Sequence, residues 1–309
     1  MRIFNNKDNE LRSGWSIAIC YLLTMFVINI LSIPVSIYIA IKHMGASVPE
    51  MMEYMSTGGV MLILMVIQNV VFIFVSILSW KMIKKRKISN MGLVNFKKGY
   101  KDLLMGLSIG AISISIVAGV LLLTGSAELV NPLSRPKFSN EMIYGIILFI
   151  AVGFGEEVFS RGYCMSMLRQ TKNKWIVMCL PAVIFGALHL GNEGISILGF
   201  INIFLVGIVF SIMYMKSNNI WMPIGFHITW NYFQGNIWGF LVSGTVAEGS
   251  MYQVKVLEEN LINGGAFGPE GGLIVTGILV LTFIFVMYYY RNNSIDEFMK
   301  IEEKITEQK

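Results

Sequence analysis

The chain has 309 residues, of which 55% are hydrophobic and only 14% are charged, and its mean hydropathy is +0.64. A soluble domain needs roughly 25% charged residues to cover its surface. The composition therefore excludes a soluble enzyme, a disordered tail protein and a disulfide-rich secreted scaffold. The net charge of +5 is small and dispersed, which argues against a nucleic-acid partner.

Apolar runs suited to crossing a bilayer recur along the chain, since a ~30 Å hydrocarbon core is spanned by ~20 apolar residues in a helix. The first run is too long for a signal peptide and has no cleavage site, so we expect it in the mature protein. The sequence predicts an all-α polytopic membrane protein with about eight transmembrane helices. The predicted spans are 15–41, 60–80, 103–124, 142–157, 175–190, 195–215, 220–242 and 273–290.

Basic residues predict the orientation of these spans, because cytoplasmic segments carry an excess of Lys and Arg. If the amino terminus is cytoplasmic, the outside segments hold only Lys42, Arg135, Lys137 and Lys255. We therefore predict that both termini are cytoplasmic and interpret the basic run 84–87 as a topology anchor. The Gly-rich segment 243–272 is expected to be an outer loop, and 291–309 a tail with a short amphipathic helix.

The sequence contains three cysteines and three histidines. Cys20, Cys164 and Cys179 lie within apolar stretches, and their spacing fits neither a zinc cluster nor a disulfide framework. We interpret them as small apolar packing residues. His43 falls at the outer end of the first span, where an exposed structural role is expected.

Five ionisable residues lie inside the predicted spans, where each costs at least ~2.5–3.5 kcal/mol near a helix centre. All five fall between positions 156 and 227, and this concentration is the strongest functional signal in the sequence. They are Glu156, Glu157, Arg161, His189 and His227.

Helical spacing separates the roles of the two glutamates. Glu157 and Arg161 are four residues apart, so they share a helix face and can pair, whereas Glu156 is rotated by roughly 100° from Glu157. A carboxylate held by a guanidinium is a poor base. We therefore assign the chemistry to Glu156 and a scaffolding role to the pair, an assignment that a helix distortion at Gly153 or Gly155 would reverse.

Two further pairs have the same four-residue spacing, Phe185 with His189 and His227 with Asn231. An intramembrane histidine is often only a hydrogen-bonding group between helices, but two of them with an unpaired glutamate indicate hydrolysis. Glutamate with histidine can deprotonate water, and histidine with asparagine can donate hydrogen bonds to an oxyanion. Alternatively, Glu156, His189 and His227 form a zinc ligand set. Zincin and NTPase motifs are missing from the sequence.

Three sequence motifs resemble those of a known family. Residues 156–161 (EEVFSR), 185–189 (FGALH) and 227–231 (HITWN) match, in order, Glu-Glu-x-x-x-Arg, Phe-x-x-x-His and His-x-x-x-Asn. These are the motifs of the CPBP (Abi) family, the CAAX-protease and bacteriocin-processing intramembrane proteases. The resemblance covers about residues 140–235.

The resemblance implies roles for the residues that match the motifs. Glu156 resembles the glutamate that activates water, helped by His189. His227 and Asn231 resemble the residues that stabilise the oxyanion. The supporting positions are Glu157, Arg161 and Phe185.

The resemblance also implies an enzyme, an intramembrane endopeptidase whose partners are the bilayer and a membrane-associated peptide or protein substrate. Members of the family cleave prenylated CAAX tails or are linked to bacteriocin immunity, peptide maturation and surface-protein display. Metal dependence is disputed in the family, so the cofactor is either zinc or another divalent ion, or none. We expect a multi-pass protein of the cytoplasmic membrane.

The chain is predicted to divide into three segments. Residues 1–125 hold the first three helices, 126–245 the catalytic core, and 246–309 the outer loop, the eighth helix and the tail. Two other functions remain open from the residues alone. One is a non-proteolytic bacteriocin-immunity or scaffold protein that acts by binding. The other is a transporter, since buried carboxylates and histidines also relay protons.

Overall fold

The computed structural model describes residues 3–6, 9–56 and 58–307, and helices occupy most of them. Every predicted apolar run contains a helix. The helices are α1 Ser13–Lys42, α2 Val48–Ser56, α3 Gly58–Ile83, α4 Phe96–Leu123, α5 Glu141–Glu157, α6 Ser166–Leu168, α7 Lys174–Leu188, α8 Ile197–Ser217, α9 Trp221–Tyr232, α10 Leu273–Tyr289 and α11 Ile295–Glu307.

The described helices confirm a multi-pass membrane protein. Five of the described helical segments are long and apolar enough to cross a bilayer, while Lys174–Leu188 and Leu273–Tyr289 are shorter apolar helices. The count of eight spans and the cytoplasmic position of the termini stay predictions. The five long segments are Ser13–Lys42, Gly58–Ile83, Ile88–Leu123, Glu141–Thr171 and Ile197–Ser217.

Two helices differ from their predicted extent. The seventh run was expected to be helical over 220–242, but α9 ends at Tyr232 and passes into a π-helix, Phe233–Ile237. The chain then turns at Gly239, whose φ of +74° is a left-handed conformation suited to glycine. The fourth run is longer than expected, because α5 continues through a π-helix, Val158–Met165, and α6 to Thr171.

Segments outside the long helices contain further structure. Strand β1 (Ala127–Leu129) pairs antiparallel with β2 (Val254–Val256), so the predicted outer loop is joined to the α4–α5 connection. Helix α2 was not predicted. The tail does form a helix, α11, and it anchors to the bundle because Phe298 is fully buried with its ring 4.8 Å from that of Tyr214.

Contacts between connecting segments define two ends of the bundle. At one end, the basic end, Lys84 Nζ lies 2.7 Å from Glu10 Oε2, and Lys216 Nζ donates to the Asn293 carbonyl at 2.7 Å. At the opposite end lie the β1–β2 pair and the connections before α5 and α10. Segments predicted to share a membrane face therefore meet at the same end.

Helix α9 lies unusually close to α4 because glycines face each other's backbones. A Cβ at Gly106 would lie 2.1 Å from the Met222 carbonyl oxygen, and one at Gly225 would lie 2.4 Å from the Leu103 oxygen. Small residues permit this approach between membrane helices. The tight contact fixes the position of α9, which carries the third motif.

We predict that Gly106→Ala lowers the thermal unfolding midpoint of the purified protein, because the new methyl group must push α9 away. Overpacking of this kind costs roughly 1–3 kcal/mol. Gly119→Ala on the same helix is the matched control, since no heavy atom lies within 4 Å of the added Cβ. Equal midpoints for the two variants would contradict the close packing.

The predicted orientation can be measured with single cysteines in a Cys179→Ser background, since Cys20 and Cys164 are buried. Leu261→Cys at the opposite end should react with a membrane-impermeant maleimide in intact cells, because Leu261 is 67% exposed. Lys174→Cys at the basic end should react only after the membrane is permeabilised. The reverse pattern would show that the basic end faces outward.

Candidate active site

A buried chain of charged side chains joins the first motif to the third. Arg161 Nη1 donates to Glu157 Oε1 at 2.9 Å, and His227 Nδ1 lies 3.1 Å from the same oxygen. The side chains of Glu157 and Arg161 are fully buried. Breaking such a pair leaves an uncompensated buried charge, so Glu157 and Arg161 hold the π-helix against α9.

Aromatic rings enclose the guanidinium of Arg161. Its Cζ lies 4.5 Å from the centre of the Phe185 ring and 5.0 Å from that of Phe210. Its Nη2 donates to the Gly207 carbonyl at 3.3 Å. Cation–π contacts of this kind are strongest when water is excluded. The phenylalanine of the second motif therefore supports the arginine of the first.

Glu156 occupies a different environment from its neighbour. Its side chain is 23% exposed, whereas that of Glu157 is fully buried, and its Oε2 lies 3.8 Å from His227 Nε2. In the part of the chain that the structure describes, Arg161 forms its ion pair with Glu157 and none with Glu156. The imidazole of His227 thus lies between two carboxylates, one structural and one facing the cavity.

His189 and Asn231 complete the group. The Phe185 carbonyl oxygen lies 2.8 Å from His189 Nδ1, and because a carbonyl can only accept, Nδ1 carries the proton. This arrangement leaves Nε2 of a neutral ring able to accept a hydrogen bond. Asn231 lies one turn after His227 on α9 and is 7% exposed.

Glycines on α5 bring the carboxylates to their partners. A Cβ at Gly153 would lie 2.7 Å from Ile228 Cγ1, and one at Gly155 would lie 2.4 Å from Asn69 Oδ1 on α3. The crossing at Gly153 comes one turn before Glu157, and Ile228 directly follows His227. Close approach at this point therefore sets the distance between the carboxylate and the imidazole.

The helix changes its hydrogen-bond pattern directly after the two glutamates. It is regular α up to Glu157, so no distortion occurs at Gly153 or Gly155, and Val158–Met165 is a π-helix in which every residue is buried. Short π-helical segments within α-helices often occur at functional sites. Arg161 lies in this segment and still meets Glu157.

The four predicted catalytic side chains line one cavity of about 450 Å³. They are Glu156, His189, His227 and Asn231. The cavity begins in the middle of the bundle and extends toward the opposite end, where residues between α9 and α10 line it. Glu157 and Arg161 lie behind this wall. The structure therefore brings together residues from α5, α7 and α9 that the sequence separates.

The site can be compared with the ligand set of the predicted metal. Among the described residues, no group of three His, Cys, Asp or Glu side chains is arranged to hold a metal ion. One of the ligands suggested by the sequence, His227, faces a carboxylate from each ring nitrogen. The zinc alternative stays a prediction.

Phe210 and Glu270 are among the cavity residues that sequence reasoning missed. Phe210 is one of many apolar residues in its span, so no spacing distinguishes it. Glu270 lies in the segment 243–272, which was expected to be an outer loop. A carboxylate three residues before an apolar helix was the only available signal.

The ionisable side chains of the site lie among helices that are long and apolar enough to cross a membrane. Residues 138–233 match the family described as Type II CAAX prenyl endopeptidase Rce1-like. The matched segment contains all three motifs and confirms the family that they predicted. Comparisons with curated proteins and with solved structures gave no significant match.

We predict that Arg161→Leu lowers the free energy of unfolding by roughly 3–5 kcal/mol, because Glu157 would remain buried without its cation. Lys255→Met is the control, since Lys255 pairs with Glu128 at 3.8 Å between two exposed side chains and such pairs contribute little. Both values can be measured by thermal unfolding in the same detergent. A similar loss in the two variants would contradict a structural role specific to Arg161.

Proposed function

We propose that the protein is an intramembrane endopeptidase that hydrolyses a peptide bond in a membrane-associated peptide or protein. The observation that carries this proposal is the convergence of Glu156, His189, His227 and Asn231 on one cavity. The family match supports it, because the matched family is one of endopeptidases. A multi-pass protein of the cytoplasmic membrane is the setting we infer.

Glu156 is the proposed general base. A water molecule between Glu156 and His189 Nε2 would lose a proton to the carboxylate, and its oxygen would bond to the carbonyl carbon of the peptide. The carbonyl oxygen then becomes an oxyanion. As the carbon–nitrogen bond breaks, Glu156 returns the proton to the leaving amine nitrogen.

His227 and Asn231 are the proposed donors to the oxyanion. The Asn231 amide can donate from Nδ2. His227 can donate from Nε2 only if its ring carries both protons, because Glu157 accepts the Nδ1 hydrogen. Preorganised donors of this kind are effective because they need no rearrangement when charge develops in a dry site.

The cavity wall supports an apolar or membrane-inserted substrate. Met25, Met65, Phe72 and Phe149 line the cavity on the side of α1, α3 and α5. Flexible methionines and aromatic rings adapt to apolar side chains of different shapes. An extended peptide could therefore reach Glu156 with its flanking residues against this wall.

We predict that Glu156→Gln lowers cleavage at least about a hundredfold, because loss of a general base typically costs this much. His189→Ala should also lower it, while Glu141→Gln at the exposed start of α5 is the matched control. The three variants and the wild type would be expressed to equal membrane levels in cells. Peptide and membrane-protein fragments would then be compared by mass spectrometry.

Fragments that disappear in both Glu156→Gln and His189→Ala, but persist in Glu141→Gln, would support proteolysis and identify the substrate. An unchanged fragment profile with the cellular phenotype retained would refute proteolysis and favour an immunity or scaffold protein. A transporter would lose coupled transport in Glu156→Gln without any change in peptide products.

A further inference from the structure

A second carboxylate lies in the cavity, at the end away from Glu156. Glu270, which lies three residues before the start of α10, is 7% exposed and lines the cavity with Ser243 and Asn192. Its Oε2 accepts hydrogen bonds from the Ser243 backbone nitrogen at 2.6 Å and from Ser243 Oγ at 2.8 Å. These two bonds hold the carboxylate in a fixed position.

The other carboxylate oxygen of Glu270, Oε1, does not accept from Ser243. Within the described part of the chain, no group donates a hydrogen bond to Oε1, and the two bonds from Ser243 both go to Oε2. The Glu270 side chain is largely buried beside the cavity, where a carboxylate oxygen without a donor is costly unless a ligand can reach it. Glu270 therefore offers one hydrogen-bond acceptor, Oε1, to a ligand in the cavity.

The charge of the cavity wall favours a cation. Glu156 and Glu270 both line the cavity, and of the described residues around it none is a lysine or an arginine. A cationic group entering from the opposite end would meet Glu270 before it reached the proposed catalytic residues. Hydrogen bonds between a cation and a carboxylate are roughly twice as strong as those between neutral groups.

We propose that Glu270 binds a cationic group of the peptide substrate, either a Lys or Arg side chain or a free amino terminus. This inference rests on the proposed peptidase function and assigns the substrate class. Glu270 would act as a specificity residue that fixes the register of the peptide over Glu156.

Helix α8 contacts both Glu270 and His227, so it gives the distance between Glu270 and the proposed catalytic residues. The Glu270 carbonyl accepts from Asn202 Nδ2 at 2.8 Å, and Phe210 packs 5.6 Å from the His227 ring. Asn202 and Phe210 are eight positions apart, so Glu270 and His227 are separated by about 12 Å along the axis of α8. An extended chain covers this distance in roughly three or four residues. The cation is therefore expected three or four residues from the scissile bond.

The test uses purified full-length protein and a set of synthetic decapeptides of Ala, Leu, Phe and Ser. Each peptide has one lysine at a different position, and its partner has acetyl-lysine, which has nearly the same shape but no charge. Each pair is made with a free and with an acetylated amino terminus, which separates the two sources of the cation. Binding is measured on Glu156→Gln protein, so that it does not depend on cleavage.

We expect the Glu156→Gln protein to bind the best lysine peptide about tenfold more tightly than its acetyl-lysine partner, as expected for one charge-assisted hydrogen bond. Adding Glu270→Gln should remove this preference, because glutamine can still accept from Ser243 but has no charge. Adding Glu248→Gln is the control, since Glu248 is exposed in the same segment. Thermal unfolding of the three proteins should be similar.

A charge preference that persists after Glu270→Gln, or that is lost equally after Glu248→Gln, would overturn the proposal. Binding by the Glu156→Gln protein that changes neither on acetylation of the lysine nor on acetylation of the amino terminus would overturn it too. If only the free amino terminus matters, the cation is the terminal amine. Cleavage of the same peptides by the wild-type protein is scored separately, so binding without cleavage would count against the peptidase and not against the cation site.

Discussion

The structure depends on keeping a guanidinium charged inside a membrane protein. Arg161 meets this requirement with Glu157, two aromatic rings and a backbone carbonyl. Glu157 in turn accepts from His227 on α9. Because loss of either Arg161 or Glu157 would leave a bare charge in an apolar interior, the helices that contact this pair, α5, α8 and α9, are held together. Glu156 and His189 are held in place by the same contacts, because Glu156 directly precedes Glu157 and His189 follows Phe185 by one turn.

Close helix packing is the second constraint, and it is possible because glycines lie where the helices cross. Gly153 lets α5 approach α9, and Gly106 lets α4 approach α9 from another side, so α9 is enclosed by backbone at van der Waals distance. Lipid gives little hydrophobic drive for helices to associate, so this packing contributes much of the association. The hydrogen bonds among Arg161, Glu157 and His227 determine which helices pair, and the glycines bring these helices close enough for the bonds to form.

Much of this could be predicted because the signals are local. Apolar run length predicted the helices, and four-residue spacing predicted that Glu157 and Arg161 share a helix face. The position of His227 between two carboxylates could not be predicted, because it depends on where α5 and α9 cross. The π-helix after Glu157 was missed since its residues do not differ in composition from an α-helix. Glu270 was missed because its place in the cavity follows from the return of the chain between α9 and α10.

The π-helix Val158–Met165 has a consequence for how the sequence can change. Its bonds run from residue i to i+5, so it accommodates more residues per turn than the helix on either side. Losing one residue here would let the segment return to α-helical bonding, so the change would be absorbed locally, whereas the same loss in a neighbouring α-helix would rotate everything beyond it by roughly 100°. Arg169, whose guanidinium lies 4.9 Å from the Phe298 ring, would in the first case keep its orientation toward the tail helix. Between the carboxylates and the tail, the π-helix is therefore the place where a change in chain length is best tolerated.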